Sequence, residues 1–273
     1  MMGAIRLAGA VPRSVTLRPP AFALDAEAAA ALREAAASPR ARMVVLNTPH
    51  NPTGKVATGE ELDVVAEVCR EHGLVAVADE VYENSVFPST SAEGGGRHLR
   101  LADREGMRDR TITISSGGKL FSLTGWRVAW AVGAAALLAP LAQAHTHLTY
   151  SAPSPLQAGV AAALDAEDGL EATAPLFAGN FELLAAALRA MESPAVGRVC
   201  EAAGGYFLVA ETDGRSDVEY ARALAEEKGV VCTPMSVFYS TPFPDDAPCT
   251  LVRFTVCKSR AHVEAACAAL RRV

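Results

Sequence analysis

The sequence has no long apolar run free of charge or proline, no Cys-x-x-Cys pair and no surplus of positive charge, and each absence closes off a class of function. The Ala/Leu stretch after Gly133 comes nearest to a membrane segment, but Pro140 interrupts it well short of the roughly 20 apolar residues a spanning helix needs. The opening MMGAIRLAGAVPRSV has no sustained hydrophobic centre of the secretory kind, while its arginines without acids leave an organelle address open. The six cysteines, Cys69, Cys200, Cys232, Cys249, Cys257 and Cys267, show no zinc spacing. Cys232, Cys257 and Cys267 have apolar neighbours, where a free thiol behaves as a small hydrophobe, so a reduced, cytoplasmic protein is expected. A net charge of −6 supplies no general basic field for phosphates. Neither a nucleic-acid nor a membrane partner is expected.

What is present is a chain of 273 residues, half of them hydrophobic, long enough for one large domain or two modest ones. Prolines at 12, 19 and 20 suggest that residues 1–24 are irregular. Asp25 is placed to cap an alanine-rich helix ending near Ala37. Met43-Val44-Val45-Leu46 reads as a strand running into the tight loop Asn47-Thr48-Pro49-His50-Asn51-Pro52-Thr53-Gly54. Thr58 and Glu61 form a capping-box pattern for a helix through His72, with Leu62, Val65, Ala66 and Cys69 on one face. A second strand at 74–78 leads into Asp79-Glu80-Val81-Tyr82. Strand, helix and strand make a βαβ unit, and near-continuous apolar strands fit a mostly parallel sheet with helices on both faces. Ligands of such sheets gather at the C-terminal strand ends, where the stretches around Asn51, Asp79 and Lys119 fall.

Residues 88–110 read as a polar, glycine-rich exposed connection. A strand at 128–132 and a helix at 134–148 follow; His145 and His147, two apart, do not share a helix face, so no metal pair is expected. The break at Tyr150-Ser151-Ala152-Pro153-Ser154-Pro155 divides residues 1–150 from residues 151–273. The second part reads as a long Ala/Leu-rich helical segment to about Met191, then a smaller α+β domain with strands at 206–210, 230–233 and 251–257 and helices at 216–228 and 260–271.

The chemistry concentrates at 111–133, TITISSGGKLFSLTGWRVAWAVG, with its single Lys119. β-Branched residues suit a short strand, and two glycines beside the lysine let the backbone approach a bound group and aim the amine. A partly desolvated lysine is a nucleophile towards an aldehyde. Read alone, these residues fit a surface lysine in a glycine turn better. The twelve residues Ser116-Gly117-Gly118-Lys119-Leu120-Phe121-Ser122-Leu123-Thr124-Gly125-Trp126-Arg127 resemble the cofactor-lysine signature of class I aminotransferases. The resemblance implies the fold-type-I transferase architecture, pyridoxal 5'-phosphate held on Lys119 as a Schiff base, and Ser116 and Arg127 on the cofactor phosphate. A hydroxyl donor and a two-pronged guanidinium suit that role.

Three further stretches match the same family in order. Asn51-Pro52-Thr53-Gly54 resembles its NPxG loop, Asp79-Glu80-Val81-Tyr82 its DExY stretch, and Arg253 in Val252-Arg253-Phe254 its substrate arginine. The resemblance implies that Asp79 pairs with the cofactor's ring nitrogen, that Asn51 and Tyr82 hydrogen-bond its phenolic oxygen, and that Asn51 and Arg253 meet the substrate, whose α-carboxylate a guanidinium grips at two points. Each also has a bland reading: a cap or ion pair for Asp79, turn geometry for Asn51, core packing for Tyr82 and a strand-end ion pair for Arg253. Leu46-Asn47-Thr48-Pro49-His50-Asn51-Pro52, Gly205-Tyr206-Phe207-Leu208 and Pro234-Met235-Ser236-Val237-Phe238-Tyr239-Ser240 are similar to kynurenine aminotransferases, also known as cysteine-conjugate β-lyases and glutamine transaminases. Amino-acid and 2-oxo-acid substrates and a homodimer are implied. Before Asn51 there is no candidate for the family's glycine-containing phosphate loop or its ring-stacking aromatic, so an N-terminally truncated large domain is expected. Two readings follow: a transaminase, with β-elimination as a variant, or a non-catalytic relative acting as a binding or dimerisation partner.

Overall fold

A computed structural model describes residues 1–88, 96–166, 173–239, 241, 243 and 247–272. The first correction is at the start: Met2–Leu7 is a short helix, α1, with no buried residue. Helix α2, Ala26–Ala36, begins where the Asp25 carboxylate accepts the Ala28 N–H at 2.9 Å. Strand β1, Met43–Asn47, precedes helix α3, Gly59–Glu71. The Thr58 hydroxyl accepts the Glu61 N–H at 3.2 Å and the Glu61 carboxylate accepts the Thr58 N–H at 2.7 Å, closing the capping box in both directions. Leu62, Val65, Ala66, Val68 and Cys69 are all buried on this helix. Strand β2, Val75–Asp79, pairs parallel to β1, and β3, Thr111–Ser116, pairs parallel to β2. Lys119 stands in a single helical turn, α4, Gly117–Leu120, rather than on the strand end itself. Strand β4, Ala129–Val132, returns antiparallel to β3, giving the sheet order β1-β2-β3-β4.

In this register Val44, Leu46, Ala76 and Ala78 point to one side, into the apolar cluster of Leu62, Val65, Ala66, Leu74 and Met107. The opposite side carries Met43 and Val45, both exposed, together with Val75 and Val77, so α2 and α3 cover one face only. Of the connection expected to be exposed, residues 89–95 lie outside the described residues, and the rest is not wholly exposed. Two 3-10 turns, Leu101–Asp103 and Arg108–Arg110, flank the fully buried Leu101 and Met107, apolar residues too valuable to the core to stay in water. Helix α5, Ala135–Leu148, runs through Pro140 and buries nothing, and the His145 ring pairs with the Thr149 hydroxyl at 2.7 Å at its C-terminal end.

The long helical segment is two helices, α6, Ser154–Asp165, and α7, Thr173–Arg189, with 167–172 outside the described residues. Four strands follow: β5, Val196–Val199, not anticipated; β6, Phe207–Thr212; β7, only Thr233–Pro234; and β8, Leu251–Thr255. They form an antiparallel sheet ordered β5-β6-β8-β7. Helices α8, Asp217–Lys228, and α9, Arg260–Leu270, complete the chain. The second core joins Leu184 and Leu188 of α7, Leu208 of β6, Tyr220 and Leu224 of α8, Val252 of β8 and Leu270 of α9. Tyr82 and Phe87, from the segment after β2, belong to this second core. That crossing brings the two sheets' polar ends together. All six cysteines are free thiols, and all but Cys257 are buried.

Candidate active site

The site is built from three strand ends of the first sheet and one strand of the second. At the end of β1, the Asn47 side chain accepts the Asn51 N–H and donates to the Asp79 carbonyl, both at 2.8 Å, tying the Asn51–Gly54 loop to the end of β2. The loop closes on itself through Gly54 N–H to the His50 carbonyl at 2.8 Å and His50 N–H to the Lys55 carbonyl at 2.7 Å. From it, the Asn51 Oδ1 accepts the Arg253 Nη1–H at 2.9 Å across 202 residues of sequence. Nothing local predicts that bond; it exists because β8 passes over the loop.

Arg253 is flanked by two aromatic faces, its guanidinium carbon 4.0 Å from the Phe207 ring centroid and 4.8 Å from that of Phe238. Stacking of this kind holds the guanidinium plane and leaves its N–H edge to bind. Burial lowers the pKa of Arg253 from its ordinary value. No carboxylate among the described residues pairs with it; Nη1 donates to Asn51 at 2.9 Å and Nη2 makes only a long bond, 3.5 Å, to the Thr233 hydroxyl.

Asp79 ends β2. Its Oδ1 is buried with no hydrogen-bond partner, and burial raises its carboxyl above the usual range, against the smaller opposing pull of the Val81 N–H, the N-terminal amine of the chain and Lys119. A buried acceptor left open costs about 1–3 kcal/mol, and a cationic N–H donor would relieve it. Ile114 pairs with Asp79, so Ser116, two residues further along β3, faces the same side of the sheet. The Lys119 Nζ lies 5.7 Å from the Tyr82 ring centroid. Burial pushes the Tyr82 hydroxyl up to about 12, the Asp79 charge adds to this, and the Asn51 amide beside it works the other way.

Asn51, Asp79, Tyr82, Lys119 and Arg253 are thus gathered in one place, with Ser116 on the same face of the sheet. Arg127 is not tied to them by any contact: it is exposed, at φ +56°, with Nη1 donating to the Thr124 carbonyl at 3.3 Å. The Ser116 hydroxyl is spent on a long bond to the Val128 carbonyl, 3.4 Å. Three residues without an assigned role from sequence also build the site, Asn47, Phe207 and Phe238. The last two lie in stretches whose aromatic content was visible, but their stacking on Arg253 is a tertiary fact.

The chain matches the model of the family "Aminotransferase class I and II" over residues 1–270. The chain belongs to this family. It is 40% identical over 265 residues to a probable N-succinyldiaminopimelate aminotransferase of Mycobacterium tuberculosis, covering 93% of this chain and 63% of that protein. It is 32% identical over 297 residues to a kynurenine–oxoglutarate transaminase of Dictyostelium discoideum, covering 94% and 65%. The crystal structure of an Escherichia coli methionine aminotransferase superposes with a TM-score of 0.85 at 30% identity, covering 99% of this chain and 67% of that one. The chain therefore spans about two thirds of these relatives' lengths. The three aminotransferases differ in the substrate they name, so family membership does not single out the kynurenine branch. The family is dependent on pyridoxal 5'-phosphate, and the residues present fit the ring half of that group. An orphaned buried carboxylate oxygen suits a protonated ring nitrogen, an amide and a phenol suit its phenolic oxygen, and an amine stands beside them. No described helix is long and apolar enough to cross a membrane, and no cluster of three or more metal-ligating side chains is found among the described residues.

Proposed function

We propose that this chain acts as a pyridoxal 5'-phosphate-dependent transaminase that moves an amino group between an amino acid and a 2-oxo acid. The observation that carries this reading is the meeting at one site of an amine, Lys119, a carboxylate with one buried oxygen left without a donor, Asp79, and a guanidinium with no carboxylate partner among the described residues, Arg253. Bound pyridoxal 5'-phosphate supplies an electron sink that allows a bond at the substrate's α-carbon to break heterolytically. The Lys119 amine would hold the group, and as a free amine it would carry the α-proton as general acid and base. Asp79 keeps a proton on the ring nitrogen, and that cation in turn holds Asp79 ionised against its burial. Asn51 and Tyr82 fix the phenolic oxygen, while Ser116 and Arg127 take the phosphate. Arg127, exposed here, would have to turn inward to do so. Arg253 would grip the α-carboxylate together with Asn51 and orient the α-carbon towards Lys119.

The aromatic faces of Phe207 and Phe238 favour an apolar, aromatic or sulfur-bearing amino acid, the kind named by the methionine and kynurenine relatives. We further assign a division near residue 150, since β1–β4 precede it and β5–β8 follow it, a homodimer of the family's usual kind, and a reducing compartment in keeping with six free thiols. The non-catalytic reading is less well supported, because a pure binding module has no use for a buried carboxylate oxygen left without a donor. The test is direct. The purified chain incubated with pyridoxal 5'-phosphate and reduced with borohydride should carry a pyridoxyl group on the Lys119 peptide. Lys119→Ala should lose both this label and transamination by at least about 10⁴-fold; transamination that survives the substitution removes the assignment.

A further inference from the structure

The lysine turn is too short to hold itself. Helix α4 has four residues, its cap Phe121 N–H bonding the Gly117 carbonyl at 3.0 Å, and the carbonyls at the end of so short a helix need partners from outside it. The Gly118 carbonyl accepts the Thr124 hydroxyl at 3.1 Å, a local bond. The Lys119 carbonyl accepts the Tyr206 hydroxyl, a bond spanning 87 residues from the approach to β6 in the second sheet.

Tyr206 is well placed to act as a fixed post. Its ring is buried and meets Tyr82 edge-on at 4.9 Å and Phe177 at 5.0 Å between centroids. Its backbone carbonyl accepts the Val256 N–H, and the preceding Gly205 N–H binds the Ser85 carbonyl, both at 2.8 Å. The Ser85 side chain also reaches its hydroxyl. The ring it buttresses, Tyr82, is the one over which the Lys119 amine lies. One side chain therefore bears on the lysine from both ends, through its main-chain carbonyl and through the ring beneath its amine.

We propose that Tyr206 is a positioning residue for Lys119, by which the second sheet sets where the lysine's amine stands. The proposal rests on the reading of Lys119 as the reacting amine. Tyr206→Phe removes one oxygen and leaves the ring stack in place. The rate of pyridoxal 5'-phosphate addition at Lys119, fixed by borohydride and read against the exposed Lys258 in the same digest, should fall about tenfold in Y206F while labelling of Lys258 holds. In transamination, kcat should fall by a similar factor with KM for the amino acid within about twofold, because the Asn51–Arg253 fork is untouched. A purely structural role would lower the thermal midpoint and leave the Lys119 to Lys258 ratio and the kcat-to-KM split unmoved; that result overturns the proposal alone. A wild-type chain that labels only at other lysines overturns the Lys119 reading and this one with it. If Y206F fails to fold, Ser85→Ala, which leaves ring and hydroxyl in place but removes the second partner, is read by the same ratio: a fall supports the proposal and an unchanged ratio refutes it.

Discussion

At Gly54 the loop after β1 packs closely against the segment leading into β6, and alanine there should be costly for a reason that can be isolated. Gly54 sits at φ +74°, and a Cβ built on it would lie 2.7 Å from the Ala202 Cβ and 3.0 Å from the carbonyl oxygens of Gly204 and Phe207. Two of these three atoms are backbone and cannot rotate aside. The Gly54 carbonyl also accepts the N–H groups of Ala203 at 2.9 Å and Gly204 at 3.1 Å, so a shift that relieves the clash breaks the bonds that join loop to sheet. Gly73 provides the control: it follows α3 at φ +62° with nothing within 4 Å of its Cβ position. Left-handed backbone costs alanine about 1 kcal/mol at either site. Overpacking against backbone adds roughly 2 kcal/mol at Gly54 alone. Gly54→Ala should therefore lose about 3 kcal/mol and Gly73→Ala about 1. For a chain of this length, that is a drop in thermal midpoint of about 9 °C against about 3 °C. Because Asn51 lies three residues upstream in the same loop, G54A should also weaken carboxylate binding at Arg253, whereas G73A should not. Equal losses from the two substitutions would refute the close-approach argument.

Two further outcomes follow from buried titratable groups. Burial raises the Asp79 carboxyl above 3.8, so its ionised form is disfavoured in the fold; the penalty is absent below the unfolded value and grows as pH rises through the folded one. Asp79→Asn should therefore raise the thermal midpoint of the cofactor-free chain at pH 7, with the gain vanishing near pH 4, while weakening retention of pyridoxal 5'-phosphate about tenfold or more; a variant less stable than wild type at pH 7 would contradict this. Burial lowers His50 from 6.5 to about 4. Its contribution is complete above pH 6.5 and is lost as pH falls towards 4, by about 2 kcal/mol once the ring's remaining exposure is discounted. The slope of unfolding free energy over that interval should flatten in His50→Gln, and an unchanged slope would dismiss the effect.

Local rules made much of the chain legible before its structure. The capping box at Thr58 and Glu61, the Asp25 cap and the apolar face of α3 depend on residues three or four apart, and they form as the sequence reads. The expected strand at 230–233 shrank to Thr233–Pro234, and β5 was overlooked, because a short antiparallel strand is stabilised by its partner more than by its own composition. Residues 96–110 were misjudged because glycines and charges outnumber Leu101 and Met107 in the sequence, whereas burial is decided by the two apolar side chains.

The sequence by itself determined the chemistry that is possible here: a lysine beside two glycines, a carboxylate ending a strand, an asparagine in a proline loop and an arginine in a late strand. Residue type and short spacing fix such features, since they depend on covalent neighbours. The tertiary structure decided which of these groups share a site. It laid β8 over the Asn51 loop so that Arg253 and Asn51 bond, inserted Tyr82 into the second core, left the Asp79 Oδ1 without a donor and set Arg127 in solvent. Contacts across 87 and 202 residues have no local signature, because packing of the whole chain brings them about and no neighbouring residue encodes them.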